Sequence, residues 1–333
     1  MRHFINFAKV LLLFLFFLFL IYCLLSFRKI PREIAYGVSF SKLHADELAL
    51  PWKEVYTALL DDLRVRNLRL SAHWPMKEPK KDIYDFSSLD YQVSEAQKSG
   101  VEVILAVGRR LPGWPECHTP AWASDLSWEE KKEKLSAYIE TTVMRYKGYA
   151  NIKYWQVENE PFLEVFAKDH CGDLDKGFLA EEIALVRNLD SSRKILVTDS
   201  GNLGLWGGAW RAGDVFGTSV YLYLWNPTIG QVRTVYRPSV YRVKTSISEL
   251  LFGEKESMLI ELSLEPWLLE PAISAPLDVQ LQRMSIDKFN EVIKFAKRTG
   301  FEKQYLWGAE WWYWMKQKGH DEYWEEAKVL FDD

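Results

Sequence analysis

The sequence predicts an α/β protein built as a (β/α)8 TIM barrel, and three features of the chain indicate that class. Eight short apolar runs typical of buried β-strands follow one another, and helical periodicity separates most of them. Alternation of strands with helices is typical of a parallel sheet, and eight strands match a closed barrel rather than an open sheet. No glycine-rich phosphate-binding fingerprint follows the first run, so a dinucleotide-binding fold has no support.

The predicted elements can be placed along the chain from these patterns. Strands are expected at residues 34–40, 67–71, 101–107, 152–157, 194–198, 215–223, 258–262 and 304–308. Helices are expected at residues 52–63, 87–98, 127–147, 178–189, 238–252, 278–299 and 322–331. Pro51 suits the start of the first helix, Ser87 is expected to cap the second, and Ser127 with Glu130 forms a capping box for the third.

Two domains are expected, a membrane anchor with a short linker at residues 1–33 and the catalytic barrel at residues 34–333. The run from Val10 to Phe27 carries no charge and is preceded and followed by basic residues. At about 1.5 Å per residue, a helix of this length spans most of the apolar core of a bilayer. The remaining residues fall within the size range of one barrel.

The competing interpretation of the N-terminal run is a cleaved signal peptide. No small-x-small cleavage site follows the run, and bulky Tyr22 precedes Cys23 where a lipoprotein signal normally has a small residue. The sequence therefore favours an uncleaved single-pass anchor with the barrel outside the cytoplasm. Because both flanks are basic, the orientation of the anchor stays open.

Composition excludes some classes of function. The formal net charge is −4 and 48% of the residues are hydrophobic, which suits a soluble globular domain with one very apolar segment and gives no nucleic-acid-binding footprint. Cys117 and Cys171 each follow a predicted strand, and either a disulfide or two separate thiols would fit. Their spacing does not resemble a zinc site, and no metal or organic cofactor is expected.

The stretch Asn159-Glu160-Pro161 marks the end of the fourth strand. Pro161 has no N–H group and ends the strand ladder, so the Glu160 carboxylate is expected at the C-terminal tip. Catalytic groups of parallel barrels lie at these tips. Glu158 is expected to point away from Asn159 and to be structural.

Glycoside hydrolysis requires a second carboxyl group across the cleaved bond, and the seventh strand supplies it. Glu261 lies within this strand, in the sequence Leu259-Ile260-Glu261-Leu262. Glu265 follows four residues later, and Pro266 follows it much as Pro161 follows Glu160. Glu261 is preferred from its depth in the strand, with Glu265 as the alternative nucleophile.

These residues resemble clan A of the retaining glycoside hydrolases, the cellulase-like and β-galactosidase-like barrels, over about Gly37 to Trp314. In that clan an Asn-Glu pair ends strand four and a glutamate near the end of strand seven is the nucleophile. The resemblance implies that Asn159 binds a sugar hydroxyl, that Arg69 on strand two supports the nucleophile, and that Tyr221 on strand six bonds it. It also implies that Trp307 on strand eight stacks on a sugar ring. No family within the clan is identified.

Further substrate contacts are expected from His73, Trp74 and Glu310, with a buried structural role as the alternative for His73. The chain has 15 tryptophans, and flat apolar faces with an N–H at the edge suit saccharides. The following tryptophans lie at or beyond predicted strand ends, where some would line the cleft and others would pack: Trp74, Trp114, Trp122, Trp206, Trp225, Trp267, Trp311 and Trp312.

The predicted function is therefore a membrane-anchored retaining O-glycosyl hydrolase that cleaves a β-linked oligo- or polysaccharide. Glu160 would act as acid and then base, and Glu261 as nucleophile. Two alternatives remain open: a surface barrel that binds glycans without hydrolysing them, and a transglycosidase that uses the same residues.

Overall fold

The computed structural model describes Tyr22, Ser26 and residues 29–165, 168–226, 228–268 and 270–332. Within these residues eight parallel strands form one closed barrel in the order β1-β10-β9-β6-β5-β4-β3-β2. The barrel strands are β1 (Ala35–Phe40), β2 (Asn67–Ser71), β3 (Glu102–Val107), β4 (Ile152–Val157), β5 (Lys194–Asp199), β6 (Val215–Val220), β9 (Ser257–Ser263) and β10 (Lys303–Trp307). The predicted barrel class is confirmed.

Helices surround the barrel, and an antiparallel hairpin is inserted after β6. The hairpin is formed by β7 (Tyr223–Asn226) and β8 (Gly230–Arg233). The helices are α1 (Lys42–Glu47), α2 (Trp52–Asp61), α3 (Trp74–Lys77), α4 (Ser87–Lys98), α5 (Trp128–Tyr146), α6 (Lys168–Cys171), α7 (Lys176–Leu189), α8 (Gly207–Ala212), α9 (Pro238–Phe252), α10 (Leu277–Arg283), α11 (Ile286–Ala296), α12 (Ala309–Gln317) and α13 (Glu322–Lys328).

The apolar residues form two layers. Outward-facing strand residues pack with the helices in a large core that runs around the barrel. A smaller cluster unites six buried side chains from five strands, namely Ile104, Leu196, Val215, Met258, Ile260 and Tyr305. Because its members come from strands around the whole ring, this cluster fills the barrel interior below the C-terminal mouth.

Three local predictions are corrected by the structure, and one helix was missed. Strand six ends at Val220, because Tyr223 pairs with Arg233 in the hairpin. The long helix expected at 278–299 is two helices, since the Ser285 side chain accepts the N–H of Lys288 and caps α11. Ser87 is the first residue of α4 rather than its cap, and its N–H donates to Asp85. Helix α12, just after β10, was not predicted at all.

The capping box of α5 is confirmed: the Ser127 hydroxyl accepts the N–H of Glu130, whose carboxylate accepts the N–H of Ser127. The predicted anchor at residues 10–27 lies outside the described residues except for Tyr22 and Ser26. Among the described residues, no helix combines the length and apolarity needed to cross a membrane.

Candidate active site

Glu160 is held at the barrel mouth by side chains of β5 and β6. The backbone turns sharply after β4, with φ of 58° at Glu158 and 45° at Glu160. The Glu160 N–H donates to Thr198 Oγ1 at 2.8 Å, and the Ser219 hydroxyl donates to Glu160 Oε1 at 2.7 Å. Such positive φ values are costly for a glutamate, so the surrounding contacts impose this position.

Glu158 stabilises the loop that follows β3. Its carboxylate accepts the N–H groups of Arg109 at 2.7 Å and Arg110 at 2.5 Å. Gly108 makes this approach possible, because its φ is 128° and a Cβ atom there would lie 2.3 Å from Glu158 Oε1. Glu158 therefore has the structural position that the sequence predicts.

Glu261 is turned into the mouth by a β-bulge in β9. Thr218 pairs with Leu259 and Ser219 pairs with Glu261, so Ile260 is an additional residue in the ladder. Ile260 packs inside the barrel, and simple alternation would then send Glu261 outward. The bulge re-aims the Glu261 side chain toward the interior.

Arg69 connects the predicted site residues. Its guanidinium donates to Glu261 Oε2 at 2.9 Å, to Asn159 Oδ1 at 2.7 Å and to Gln156 Oε1 at 2.8 Å. The Tyr221 hydroxyl donates to the other oxygen of Glu261. The arginine side chain is buried, and charge-assisted hydrogen bonds of this kind are stronger than those between neutral groups.

The electrostatic environment distinguishes Glu160 from Glu261. Burial, the charge of Glu261 and the charge of Glu116 raise the pKa of Glu160 to about 8. The Ser219 hydrogen bond and Arg110 oppose this shift. At neutral pH Glu160 is therefore a protonated acid beside a carboxylate that accepts bonds from Arg69 and Tyr221, which is a pairing suited to acid and nucleophile roles.

Glu160 and Glu261 open onto one cleft, which contains about 650 Å³ of empty space, part of it open to solvent. The walls are formed by Arg110, Trp114, Glu116, Glu160, Leu163, Val165, Ser200, Asn202, Leu203, Ser219, Tyr221, Leu224, Glu261 and Trp267. Trp114 is 62% exposed, and Trp267 meets the Tyr221 ring edge to face at 5.4 Å. Two tryptophans thus provide aromatic surface at the cleft.

Glu116 is a cleft residue that the sequence reasoning missed. It lies in the loop after β3, directly before Cys117, which forms a disulfide with Cys171. The loop's richness in proline, tryptophan and charge marked it as unusual, but no pattern in it indicated which carboxylate faces the cleft. The disulfide, which the sequence left undecided, ties this loop to the segment after β4.

Several predicted substrate contacts lie away from the cleft. Trp74 is fully buried and donates to Glu78, and the buried His73 bonds the Pro112 carbonyl. Burial and the neighbouring His118 lower the pKa of His73 to about 3. Of the tryptophans expected near the mouth, Trp206, Trp311 and Trp312 are also fully buried, as packing residues.

Glu265, Trp307 and Glu310 form a separate group near β1 and β10. Glu265 bonds His44 Nε2 at 2.8 Å and accepts the Trp307 N–H at 2.7 Å. Glu310 is buried and accepts the N–H of Ser41. Strand β9 ends at Ser263, so Glu265 is not on the same strand face as Glu261. The structure brings Glu261, rather than Glu265, into the cleft with Glu160.

Comparison with known proteins gives one family match and many structural matches. Residues 52–173 match the model of glycosyl hydrolase family 10, a segment that contains Arg69, Asn159 and Glu160. GH5_18 from Bifidobacterium longum subsp. longum ATCC 55813 superposes with a TM-score of 0.58 at 12% identity, over 83% of this chain and 69% of that one.

Two further solved structures share the barrel. The exo-β-1,4-mannosidase from Opitutaceae bacterium strain TAV5 matches with a TM-score of 0.54 and 17% identity, over 84% of this chain and 54% of that one. The β-galactosidase from the haloarchaeon Halorubrum lacusprofundi matches with a TM-score of 0.54 and 13% identity, over 82% of this chain and 52% of that one. This chain thus spans about half the length of these two proteins. The resemblance to clan A glycoside hydrolases is confirmed, and the family within that clan is not specified.

Proposed function

We propose that this chain is a retaining O-glycosyl hydrolase that cleaves a β-linked oligo- or polysaccharide. The observation that carries the proposal is the pairing of Glu160, whose pKa is about 8, with Glu261, which accepts bonds from Arg69 and Tyr221 in the same cleft. The clan A fold supports the assignment. A related GH5_18 structure from Bifidobacterium longum is a complex with Manb1-4GlcNAc, which supports a carbohydrate as the substrate class.

The reaction has two steps. Glu160 donates its proton to the leaving oxygen while Glu261 attacks the anomeric carbon and forms a glycosyl ester. The ester no longer carries the charge of Glu261, so the main electrostatic cause of the raised Glu160 pKa is removed and Glu160 becomes a competent base. Glu160 then takes a proton from the water that cleaves the ester, and Asn159 binds a hydroxyl of the sugar at the cleaved bond.

Mechanism-based labelling tests the proposal and reveals the sugar. A panel of 2-fluoro-glycosides should trap an ester that peptide mapping assigns to Glu261. Glu160→Ala should lose most activity on substrates with poor leaving groups, because the first step then lacks its acid. On activated aryl glycosides, which form the ester without acid assistance, azide should restore turnover because it attacks the ester without base assistance. Glu261→Ala should abolish turnover on every substrate. Product of inverted anomeric configuration in the first minutes, observed by NMR, would refute the retaining mechanism.

The proposal includes a location. Residues 10–27 would anchor the barrel to a bilayer, with the catalytic domain outside the cytoplasm. The disulfide between Cys117 and Cys171 supports an oxidising compartment, because disulfides are rare in reducing ones.

A further inference from the structure

The position of Glu116 is fixed by the loop that carries it. Its N–H donates to the Gly113 carbonyl at 2.8 Å, and its own carbonyl accepts the N–H of Leu111 at 2.9 Å. The φ of Glu116 is 74°, a left-handed conformation that is unfavourable for a glutamate and therefore has to be imposed by its surroundings. The adjacent Cys117 is bonded to Cys171. The two backbone hydrogen bonds and the adjacent disulfide therefore fix the backbone of Glu116, which keeps its side chain at the cleft.

The carboxyl group of Glu116 has free acceptor capacity in the cleft. The Arg110 Nε lies 3.4 Å from Glu116 Oε2, and 26% of the Glu116 side chain is exposed. Its pKa is raised to about 7 by burial and by the charge of Glu261, against the influence of Arg110 and a hydrogen bond with Asn159. One weak ion pair and one amide contact leave room for a carboxylate to accept further hydrogen bonds from a ligand.

Glu116 is the carboxyl group of the cleft that lacks a strong cationic partner. The cleft is lined by the carboxyl groups of Glu116, Glu160 and Glu261 and by the guanidinium of Arg110. Glu160 is protonated at neutral pH, and Glu261 is paired with the buried Arg69. Arg110 is itself engaged, because it donates to the Leu163 carbonyl at 2.7 Å as well as facing Glu116. Among the described wall residues no other cation is present to receive an acidic group, so a carboxylate on the substrate would meet like charge.

We propose that Glu116 is a specificity-determining residue that accepts hydrogen bonds from hydroxyl or ammonium groups of a sugar ring and makes the cleft reject acidic sugars. This inference rests on the proposed function, since it assumes that the cleft holds a glycan. It narrows the substrate class to neutral or amino sugars. A free amine and a pair of vicinal hydroxyls present the same donor chemistry to a carboxylate, and the two can be separated by experiment.

Binding of three matched β-1,4-linked tetrasaccharides tests the inference: cellotetraose, fully deacetylated chitotetraose and mannuronate tetrasaccharide. Dissociation constants are measured by calorimetry in a Glu160→Ala background, which prevents turnover. With Glu116 present, the neutral or the amino ligand should bind at least tenfold more tightly than the acidic one. Adding Glu116→Gln should weaken the preferred ligand by roughly tenfold, because a hydrogen bond to a charged group is lost.

Glu164→Gln is the matched control, because Glu164 is an exposed glutamate beside the cleft residues Leu163 and Val165 and does not itself line the cleft. This variant should leave all three constants unchanged. A larger loss for the amino ligand than for cellotetraose in Glu116→Gln would identify an ammonium contact, and equal losses would identify hydroxyl contacts. Both outcomes support the proposal.

Three outcomes would overturn the inference. They are equal binding of neutral and acidic ligands, no binding of the neutral and amino ligands, and a preference among the ligands that Glu116→Gln leaves unchanged. Its failure can be told from failure of the proposed function by fluoro-glycoside labelling. If Glu261 is labelled in Glu116→Gln and the ligand preference is unchanged, the proposed hydrolase function stands and only the proposed role of Glu116 is refuted. If the unaltered protein is not labelled, the proposed hydrolase function is refuted. The ratios of the dissociation constants would still test whether Glu116 determines which glycan binds.

Discussion

At the level of single residues, Arg69 is the group on which the geometry of the site depends. Three side chains accept its N–H groups: Gln156 in β4, Asn159 just after β4, and Glu261 in β9. Removing one partner of a buried ion pair typically costs about 3–5 kcal/mol, because the other charge remains buried. The same contacts therefore hold the strand ends together and orient the proposed nucleophile.

The raised pKa of Glu160 gives a prediction for the pH dependence of activity. A group with a pKa of about 8 is protonated below that pH and loses its proton as the pH rises through it. Since the proposed first step needs the protonated acid, kcat/KM for substrates with poor leaving groups should fall about tenfold per pH unit above pH 8. Dinitrophenyl glycosides need little acid assistance and should show a much weaker decline.

Ser219→Ala provides a control for this pH prediction. The Ser219 hydroxyl lowers the pKa of Glu160, so its removal should move the alkaline limb to higher pH. The charged groups that act on Glu160 include Glu261, Glu116, Arg110 and Lys244, and none of them is altered by this change. An alkaline limb near pH 5, or one unaffected by Ser219→Ala, would show that Glu160 is not the acid.

Residue-level prediction succeeded where strand ends determine position. Parallel strands all point their C-terminal ends at one mouth, so Glu160 and Glu261 could be grouped from strand order, whereas Arg69 and Tyr221 were added from the resemblance to clan A. Glu116 could not be found in this way, because its position depends on a loop with a left-handed residue and a disulfide. Trp74 was misleading for a related reason, since sequence does not show on which side of a short helix a side chain is buried.

At the level of elements, the bulge in β9 and the loop after β3 do the most to build the site. Strand bounds were predicted closely because buried runs of alternating residues are distinctive. The bulge leaves no such pattern: Leu259, Ile260 and Leu262 are all apolar, so nothing in the sequence marks where alternation is broken. The two-helix segment 277–296 was read as one helix because Ser285 also fits inside a helical pattern.

Gly108→Ala tests the contribution of the loop after β3. A Cβ atom at Gly108 would collide with Glu158 Oε1 and displace the carboxylate from two backbone N–H groups. The combined backbone strain and lost hydrogen bonds should lower the free energy of unfolding by about 3–5 kcal/mol, measured with urea. Activity should fall as well, since this loop carries Arg110 and Glu116.

The control for this change is Gly100→Ala. Gly100 also has a positive φ, 68°, but a Cβ atom there would meet nothing within 4 Å. Only backbone strain is then added, about 1–2 kcal/mol, and kcat/KM should stay unchanged. Equal losses of stability and activity in the two variants would show that the contact between Gly108 and Glu158 has no special role.

At the level of the whole molecule, the barrel has its own core. Neither of the described residues of the N-terminal run, Tyr22 and Ser26, belongs to this core. The buried cluster begins at Val38, beyond the predicted anchor. The described contacts of the N-terminal segment are with α9, where Tyr22 bonds Ser239 and the Ser26 carbonyl accepts from Arg242 at 2.9 Å. The closed barrel was predictable because its eight strands alternate with helices in a regular order.

Deletion of residues 1–29 should therefore leave a folded, soluble barrel. The two contacts with α9 lie at the surface, so a single cooperative unfolding transition and unchanged kcat/KM are expected. Membrane association should be lost, because no described helix could cross a bilayer and residues 10–27 are the uncharged run of that length that is almost wholly apolar. Fractionation before and after a high-salt wash measures this, since salt removes proteins held by charge alone.

Retention of the truncated protein in washed membranes would contradict the single-anchor proposal and indicate a second attachment. Helix α9 offers the place to search for it, because Leu250 and Leu251 near its end are 77% and 63% exposed. Replacing both with serine in the truncated protein should then release it into the soluble fraction. If the unaltered full-length chain is itself soluble without detergent, residues 10–27 do not anchor it, and the proposed location fails while the proposed chemistry of the barrel is unaffected.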